Sequence, residues 1–447
     1  MVEHDADNKA FPKRLNRREF LQVVGAGVAA AGAASLLGGC GTSGEAPKPT
    51  TAPAVPGPAA TAAPSTGQQA PAVIKSLEEV TFGLVCSVTG PMALLGKKLV
   101  NSAQMRIDEI NAAGGVAGKF KLKLLNEDDE GKVEIAAAMA QKMTNNKIQV
   151  IMTTTSSTLD LAMNPIIKAA KTLMLVSNNT NPRITAENEY ALRSCFTNKL
   201  EGWADAKFLY EIRGARTLAT LVDMSNEGST NVVDYFQKYF QQFGGKIAAS
   251  EKYSGMAGAD TDFKPQLGRI KQANADAMFS AGYTEQGALI MKQLLEIGLK
   301  PKIVLGSNSW EDEGFFKIAS SEIGQLEVYI SSHFASDDPD PDYQAWAKKY
   351  KARFNADPFS YDALSYDTTT LGAWALEKAG KYDGESMRQA LMTIAGTGQT
   401  VKGLLTAKGG FSYDKNRDAV KPVVIDRVTP SSFTYFATIQ PPTESID

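Results

Sequence analysis

Two runs of hydroxyl and amide side chains follow predicted strands near the middle of the sequence. The run 153–158 places Ser156 and Ser157 before a predicted helix, and the next strand is followed by Asn178 and Thr180. Hydroxyl groups and free backbone N–H groups at a helix N-terminus can bind a carboxylate. Helix capping explains each run equally well when it is taken alone. Two adjacent strand ends with the same chemistry favour a site for the anionic end of a ligand.

A later pair of strand ends offers chemistry of the opposite charge. Tyr283 and Glu285 follow a predicted strand, so an aromatic face and a carboxylate could together receive an ammonium group. A capping box at the start of the next helix is an equally good interpretation. Trp310 comes just after the following strand and could supply an apolar wall. Together with the hydroxyl runs, these residues predict a cleft that suits a zwitterion.

Residues typical of catalysis or of metal binding are scarce. The sequence has no nucleophile elbow, Walker loop or zincin motif, and of its two histidines only His333 lies beyond the N-terminal segment. A lone histidine is more often a core or surface residue than a general base. The acidic run 127–130 could bind a cation, although a helix cap with a solvated turn explains it better. Cys86 and Cys195 lack C-x-x-C spacing, and we expect two buried free thiols there, although export would permit a disulfide. We therefore expect no metal, no cofactor and no enzyme activity.

The elements that position these residues alternate between strand and helix. Apolar strands and helices with an apolar face succeed one another over residues 80–177, and the alternation restarts over residues 204–306. This pattern predicts βαβ units with a mostly parallel sheet. Two such units predict an α/β protein with two doubly wound lobes, whose cleft faces the carboxyl ends of the strands. Two further helices and a small β-rich C-terminal segment, residues 403–436, complete the folded part of the chain.

The composition is that of a near-neutral globular chain. It has 447 residues, of which 43% are hydrophobic, with 47 Lys+Arg against 49 Asp+Glu. The length is two to three times that of a domain of about 150 residues. The formal net charge of −2 argues against nucleic acid as a partner, because phosphate binding needs a concentrated basic surface. Three cysteines exclude a disulfide-dense scaffold.

The N-terminal segment resembles a bacterial export signal. Arg17 and Arg18 stand before Phe-Leu as in a twin-arginine motif, with an ordinary basic segment as the alternative, and an apolar run of small residues follows. The run ends in Gly-Gly-Cys40, which resembles a lipobox, with a chance cysteine as the alternative. We therefore expect cleavage after residue 39 and lipidation of Cys40, which would anchor the protein outside the cell membrane or in the periplasm.

A linker follows the expected anchor. Residues 41–75 are rich in Pro, Ala and Thr and nearly free of charge, which is typical of an extended, disordered tether. The predicted segments are the twin-arginine lipoprotein signal peptide 1–39, the lipidated cysteine and disordered linker 40–75, the first lobe 76–197 with 330–398, and the second lobe 198–329 with 399–440.

A series of short motifs runs through the body in order. The motifs are Thr89-Gly90-Pro91 with Gly96, Asp108-Glu109-Ile110-Asn111 with Gly114-Gly115-Val116, Asp128-Asp129, Ser156-Ser157, Asn181-Pro182, Arg193 with Phe196, Gly282-Tyr283, Tyr366-Asp367, and Glu377-Lys378-Ala379-Gly380. Over about residues 78–440, this series resembles the branched-chain amino-acid-binding family, the type I periplasmic solute-binding proteins of ABC transporters. The resemblance implies two lobes joined by three crossovers that close on a ligand about a hinge.

The same resemblance implies positions for the site. The carboxylate-binding positions fall on Ser156 or Ser157, on Asn178 and on Thr180, and the ammonium acceptor of the second lobe falls on Glu285. Two aromatic residues usual in the family are missing. Leu95 replaces the one in the first loop, and the loop that contains Asn226 has no tyrosine. These departures leave another amino acid, an amide or a small carboxylate open as the ligand beside leucine and valine.

The resemblance and the residues together imply a lipid-anchored, extracytoplasmic solute-binding component of an ABC importer. Its expected partners are a small polar organic ligand and the permease subunits of the transporter. A ligand-sensing receptor module is the first alternative. An exported cofactor enzyme is the second, because twin-arginine export carries prefolded proteins.

Overall fold

The computed structural model describes residues 76–442 apart from Pro91, Thr154, 256–259, 395–400 and 408–410. The predicted signal with Arg17 and Arg18, the predicted lipidation residue Cys40 and the linker lie outside the described residues. Within the described part of the chain, no helix has both the length and the apolar character needed to cross a membrane.

A five-stranded parallel sheet forms the first lobe, with the strand order β2-β1-β3-β4-β5. The strands are β1 (Glu78–Cys86), β2 (Phe120–Asp128), β3 (Val150–Met152), β4 (Leu173–Val176) and β5 (Ala191–Arg193). Phe82 and Leu84 face one buried cluster, while Val85 faces another on the opposite side of the sheet. Strands that are apolar on both faces are expected where helices cover both sides of a parallel sheet.

A seven-stranded mixed sheet forms the second lobe, with the order β14-β13-β10-β9-β8-β6-β7. The remaining strands in chain order are β6 (Thr217–Asp223), β7 (Lys246–Tyr253), β8 (Ala277–Ala281), β9 (Ile303–Gly306), β10 (Val328–Ser332), β11 (Ser412–Tyr413), β12 (Ala419–Val420), β13 (Val423–Val428) and β14 (Phe433–Ile439). Strands β6 to β10 are parallel, whereas β13 and β14 add an antiparallel edge. Strands β11 and β12 pair only with each other among the described residues.

Helices cover both sheets. The described α-helices are α1 (Ala93–Ala112), α2 (Val133–Asn145), α3 (Ser157–Ala169), α4 (Arg183–Ala186), α5 (Asn198–Lys207), α6 (Glu227–Gln242), α7 (Lys264–Ala273), α8 (Thr284–Glu296), α9 (Gly314–Ile323), α10 (Pro341–Phe354), α11 (Ser360–Ala379) and α12 (Gly384–Met392). A π-helical turn continues α5, and a short 3-10 turn follows β9. Helix α11 ends at Ala379 and is capped by Gly380, whose φ of 67° is the left-handed conformation that glycine adopts readily.

The chain passes between the two lobes three times. It crosses after β5, again after β10, and finally between β12 and β13. Helix α11 packs on α1, so it belongs with the first lobe. Phe411 and Tyr413, which the sequence assigns to the second lobe, lie in the same buried cluster as Phe82 of the first. The predicted α/β architecture of two doubly wound lobes is confirmed, with an antiparallel edge on the second sheet.

Candidate functional site

A polar cleft lies between the carboxyl edges of the two sheets. It encloses a cavity of about 20 Å³, room for about one water molecule. The residues that line it are Thr155, Ser156, Ser157, Asn178, Asn179, Thr180, Asn198, Glu201, Asn226, Gly228, Ser229, Val232, Tyr283, Ser307, Asn308, Ser309 and Tyr361. Most of them follow a strand or begin a helix, which is where open α/β sheets bind ligands.

Three helices begin at the cleft. Ser156, Asn226 and Tyr283 are the N-cap residues of α3, α6 and α8, and all three line the cavity. The first N–H groups of a helix have no partner within the helix, and the helix dipole favours negative charge at this end. The starts of α3 and α8 therefore suit a carboxylate, whereas the first two N–H groups of α6 donate to Thr158 and Asn226.

The loop after β4 adds two predicted residues, Asn178 and Thr180. The Ser177 hydroxyl donates a hydrogen bond to Asn178 Oδ1 at 2.8 Å. Asn178 Nδ2 is buried and makes no hydrogen bond of normal geometry within the described residues. The carbonyl oxygen of Thr180 accepts a hydrogen bond from the Asn198 N–H at 2.8 Å. Because a buried donor without a partner costs about 1–3 kcal/mol, Asn178 Nδ2 is well placed to bind a ligand.

Arg193 holds this loop in place from inside the first lobe. Its guanidinium donates to the carbonyl oxygens of Asn179 and Asn181, the latter at 2.7 Å, and to Asp418 Oδ1 at 2.7 Å. Arg193 is fully buried, with an exposed fraction of 0%. The planar fork of arginine can bind several acceptors in fixed directions. Arg193 is therefore a positioning residue for the loop that supplies Asn178.

Glu201 contributes the carboxyl group of the cleft. It lies in the first turn of α5 and accepts hydrogen bonds at Oε1 from the Ser331 hydroxyl at 2.9 Å and the Asn308 N–H at 3.4 Å. Burial raises the pKa of Glu201 to about 7, and the two hydrogen bonds lower it less. One turn along the helix, Asp205 is also buried, and both of its carboxyl oxygens lack a hydrogen-bond partner within the described residues. Burial, followed by repulsion from Glu201, raises the pKa of Asp205 well above its usual value.

Two tyrosines supply the aromatic surface of the cleft. Tyr283 comes from the second lobe, and burial raises its pKa while the Ser156 hydroxyl of the first lobe acts in the opposite direction. Tyr361 lies on α11, where its hydroxyl donates to Ser309 Oγ at 3.4 Å. Burial raises the pKa of Tyr361 to about 12. Both phenols are therefore protonated at neutral pH and can act as hydrogen-bond donors.

The two lobes contact each other at the opening of the cleft. The N–H of Glu227, at the start of α6 in the second lobe, donates to Thr158 Oγ1 of the first lobe at 3.3 Å. The amide of Asn181 donates to the carbonyl oxygen of Glu227 at 3.4 Å. These bonds join the two lobes across the opening, so the structure represents a closed form.

Six of the nine predicted ligand residues meet in this cleft: Ser156, Ser157, Asn178, Thr180, Asn226 and Tyr283. Leu95 and Glu285 instead line a larger neighbouring groove, which Tyr283 separates from the cleft. Glu285 is exposed there, at the start of α8. Its separation from the polar cleft follows from helix geometry, since consecutive helical positions point in different directions.

Trp310 also lies away from the cleft. It is fully buried in the second lobe and stacks on Phe315 with ring centroids 5.3 Å apart. The indole covers Gly287 and Gly306, where a Cβ would come within 2.4 Å and 2.3 Å of the ring. Trp310 packs against the end of β9 on the side away from the cleft. Ser307, Asn308 and Ser309 instead form the cleft wall that the sequence predicted Trp310 to supply.

The residues considered for other chemistry have structural roles. His333 is buried and stacked on Phe196 with ring centroids 3.6 Å apart, and burial lowers its pKa well below the usual value. Cys86 and Cys195 are both buried and free, which confirms the expected thiols. In the acidic run, Asp128 accepts hydrogen bonds from the loop after β1, including Thr89 Oγ1 at 2.6 Å. The described residues contain no group of three or more side chains that could hold a metal ion.

Two features of the cleft were missed by the sequence interpretation. The sequence predicts that the alternation of helix and strand restarts at residue 204, which leaves out Glu201, whereas α5 begins at Asn198. Thr197 caps this helix by accepting the N–H of Leu200 at 3.3 Å, and a threonine at that spacing is the signal that could have found the start. Tyr361 could not be found from local pattern, because α11 reaches the cleft from a distant part of the chain.

The sequence of this chain is similar to those of several known proteins. A family model described as periplasmic binding protein matches residues 79–430. The leucine-, isoleucine-, valine-, threonine- and alanine-binding protein of Pseudomonas aeruginosa is 27% identical over 357 residues, which cover 78% of this chain and 92% of that protein. A Leu/Ile/Val-binding protein of Rhizobium johnstonii is 25% identical over 76% of this chain and 89% of its own length.

Solved structures show the same architecture. A leucine binding protein of Thermotoga maritima superposes with a TM-score of 0.73 at 24% identity, over 81% of this chain and 99% of that one. A solute binding protein of an ABC transporter from Rhodopseudomonas palustris, in complex with 3,4-dihydroxybenzoic acid, has a TM-score of 0.70 at 26% identity, over 81% of this chain and 98% of its own.

Proposed function

The chain belongs to the periplasmic binding protein family, and on that premise we propose that it is the extracytoplasmic solute-binding component of an ABC importer. Members of this family bind solutes and are not enzymes. The proposed ligand is an amino acid or a similar small polar organic molecule, which the two lobes enclose by closing about the hinge.

The observation that carries this proposal is the composition of the cleft. Three helix starts, several hydroxyls and the buried amide of Asn178 face one small cavity between two lobes. Within the described residues, no lysine, arginine or histidine lines it. A site of this kind binds a carboxylate through neutral donors and helix dipoles, and it offers no nucleophile paired with a base. The proposed contacts to the ligand carboxylate come from Ser156, Ser157, Asn178 and Thr180.

The relatives support two classes of ligand. The Pseudomonas and Rhizobium proteins are both named as binding leucine, isoleucine and valine, and the Pseudomonas protein also as binding threonine and alanine. The Rhodopseudomonas protein was solved with a hydroxylated benzoic acid. Both classes share a carboxylate, and the cleft described above suits that end of either. We propose an amino acid first, with a small aromatic carboxylate as the second candidate.

A thermal-shift screen of the purified protein tests the proposal. The panel contains leucine, isoleucine, valine, threonine, alanine, their amides, 4-hydroxybenzoate and 3,4-dihydroxybenzoate. A ligand present at one hundred times its dissociation constant stabilises a fold by about 2.7 kcal/mol. We expect at least one panel compound to raise the melting temperature by several degrees. No shift with any of them would contradict the proposed ligand class.

We also propose that the mature protein is tethered by lipid at Cys40, after export directed by Arg17 and Arg18. This proposal rests on the sequence of the N-terminal segment and on membership of an exported family. In a bacterial host, wild-type protein should partition into the detergent phase, and mass spectrometry should show an acylated N-terminal Cys40. Cys40→Ser should abolish both. An unmodified N-terminus in the wild type would contradict the anchor.

A further inference from the structure

The geometry points to Glu201 as the group that receives a ligand ammonium, so that the cleft is built for α-amino acids rather than for plain carboxylates. The inference rests on the proposed function and names the ligand class of the same site. It gives Glu201 the acceptor role that the sequence placed on Glu285.

Glu201 is held in the orientation that this role needs. It is 1% exposed and lies in the first turn of α5, whose start is fixed by the Thr197 cap. Both of its hydrogen bonds, from the Ser331 hydroxyl and the Asn308 N–H, end on Oε1. Oε2 is left for a donor that enters the cleft. The two supports come from different strand ends of the second lobe, so the carboxyl group is fixed before any ligand binds.

Among the described residues, none that lines the cleft with Glu201 carries a positive charge. Glu201 is the one Asp, Glu, Lys, Arg or His among the described residues that line the cleft. The titratable groups that face it are Asp205 on the same helix and Tyr361 on α11, and neither carries positive charge. His333, which contacts Asn308 at 3.3 Å, stays neutral because of its burial. A buried carboxylate without a positive partner is unfavourable, and a ligand ammonium supplies that partner.

The opposite end of an amino acid also has partners. The carboxylate meets the start of α3 and the free Nδ2 of Asn178, both from the first lobe. The ammonium then meets Glu201 of the second lobe. A ligand that bears both groups joins the two lobes, whereas a simple carboxylate supplies no positive charge to pair with Glu201. Amino acids are therefore favoured over their des-amino analogues.

Glu285 cannot take this role in the closed form described here. It is exposed and faces the neighbouring groove together with Lys317 and Lys132. Water screens a charge in such a position, so the charge of Glu285 has only a small effect on a ligand inside the cleft. Glu285→Gln is therefore the matched control for Glu201→Gln.

Calorimetric titration of the full mature protein tests the assignment. The probes are L-leucine, L-isoleucine, L-valine, L-threonine and L-alanine, with 4-methylpentanoate as the des-amino analogue of leucine. We expect Glu201→Gln to raise the dissociation constant of the tightest-binding amino acid at least tenfold. Glu285→Gln should change it by less than twofold. In the wild type, 4-methylpentanoate should bind at least tenfold more weakly than L-leucine, and Glu201→Gln should not weaken it further.

The pH dependence of the wild type provides a second readout. Pairing with an ammonium requires ionised Glu201, and burial of Glu201 brings its ionisation near neutral pH. Amino-acid affinity should therefore increase from pH 5.5 to pH 8, with proton release on binding at neutral pH. Glu201→Gln should remove the proton release and flatten the profile. If this variant does not fold, the pH profile and the des-amino comparison in the wild type decide the matter.

The outcomes separate the inference from the proposed function. If the wild type binds an amino acid and Glu201→Gln binds it equally well, the role of Glu201 is overturned while the proposed function stands. If the wild type binds 4-hydroxybenzoate or 4-methylpentanoate but no amino acid, the ammonium site is overturned and the solute-binding role stands. If the wild type binds none of these compounds, both are contradicted.

Discussion

Lys98 of the first lobe and Asp312 of the second form a buried ion pair, with Lys98 Nζ 3.5 Å from Asp312 Oδ2. Their side chains are 9% and 2% exposed, and Lys98 also lies 3.8 Å from Asp362 Oδ2 of α11. Because the pair bridges the lobes, it exists only when they are together. It therefore contributes to the free energy of closure rather than to the folding of either lobe.

We predict that Asp312→Asn weakens ligand binding by destabilising the closed form. The asparagine keeps the oxygen that accepts the Gly314 N–H at 2.7 Å, so the start of α9 is retained. Lys98 keeps Asp362 as its partner. We expect the dissociation constant of an amino-acid ligand to rise about tenfold, which corresponds to about 1.4 kcal/mol. Calorimetry gives the affinity, and small-angle scattering should show a larger radius of gyration for the variant.

A second interlobe ion pair serves as the control. Arg183 Nη1 and Glu227 Oε2 are 3.5 Å apart, but both side chains are about half exposed, at 55% and 49%. Exposed pairs contribute about 0.2–1 kcal/mol at most. Glu227→Gln should therefore change affinity by less than about fivefold. Equal effects of the two substitutions would contradict a special role for the buried pair.

Arg193→Met should destabilise the first lobe strongly. The substitution leaves Asp418 buried without its partner and frees the carbonyl oxygens of Asn179 and Asn181. Removing one member of a buried ion pair costs about 3–5 kcal/mol. Urea denaturation should show this loss. Arg269→Met, which breaks an exposed pair with Glu251, should cost less than about 1 kcal/mol. Similar losses in both variants would refute the positioning role of Arg193.

Asn178→Ala should weaken binding more than it lowers stability. The folded protein loses the hydrogen bond from the Ser177 hydroxyl to Asn178 Oδ1, which contributes about 0.5–1.5 kcal/mol, while a ligand carboxylate loses the Nδ2 donor that makes no normal hydrogen bond within the described residues. Hydrogen bonds to charged groups contribute about 1.5–3 kcal/mol, and we expect affinity to fall at least tenfold. The exposed Asn146→Ala is the control. Unchanged calorimetric affinity in Asn178→Ala would show that the carboxylate binds elsewhere.

The stability of the unliganded protein should fall as pH rises from about 4.5 to about 7. Burial raises the pKa of both Glu201 and Glu311 to about 7. The folded state then holds protons that the unfolded chain, with a glutamate pKa of about 4.3, has released. Each such group lowers the unfolding free energy by up to about 1.4 kcal/mol per pH unit over this window. The pKa values of Asp276 and Glu385 are lowered to about 2. These two groups therefore make the stability rise with pH, but only below about pH 4.

Urea denaturation across this pH range checks the trend. Glu201→Gln and Glu311→Gln should each reduce the slope of stability against pH. The exposed Glu78→Gln should leave the slope unchanged. A stability that rises between pH 4.5 and pH 7 would contradict the buried, protonated carboxyls.

Local patterns in the sequence were sufficient for most of the scaffold. Strand β8 occupies residues 277–281, where the apolar run predicts it, because a parallel strand covered on both faces must be apolar throughout. Helix α9 and strand β10 were not predicted. Ala319 interrupts α9 with a non-helical φ of −126°, and β10 ends in Ser331 and Ser332, whose hydroxyls are buried against Glu201 and Glu311. The break in α9 and the polar end of β10 obscure the sequence patterns that would otherwise predict these two elements.

The carboxylate end of the cleft was predictable, but its other end was not. Ser156, Ser157, Asn178 and Thr180 follow neighbouring parallel strands, and the carboxyl ends of such strands always meet at one edge. The choice between Glu201 and Glu285 depends instead on where each helix starts and how it is rotated. The partners of Arg193 could not be predicted from the local sequence either, because Asp418 lies 225 residues further along the chain.

The most direct test of the proposed amino-acid site is calorimetric titration of the wild-type protein with the five amino acids at neutral pH. We expect one binding site per chain for at least one of them, with an affinity that 4-methylpentanoate does not match. Small-angle scattering with the same compound should show a more compact protein. Absence of heat and of compaction with all five amino acids would contradict the proposed site.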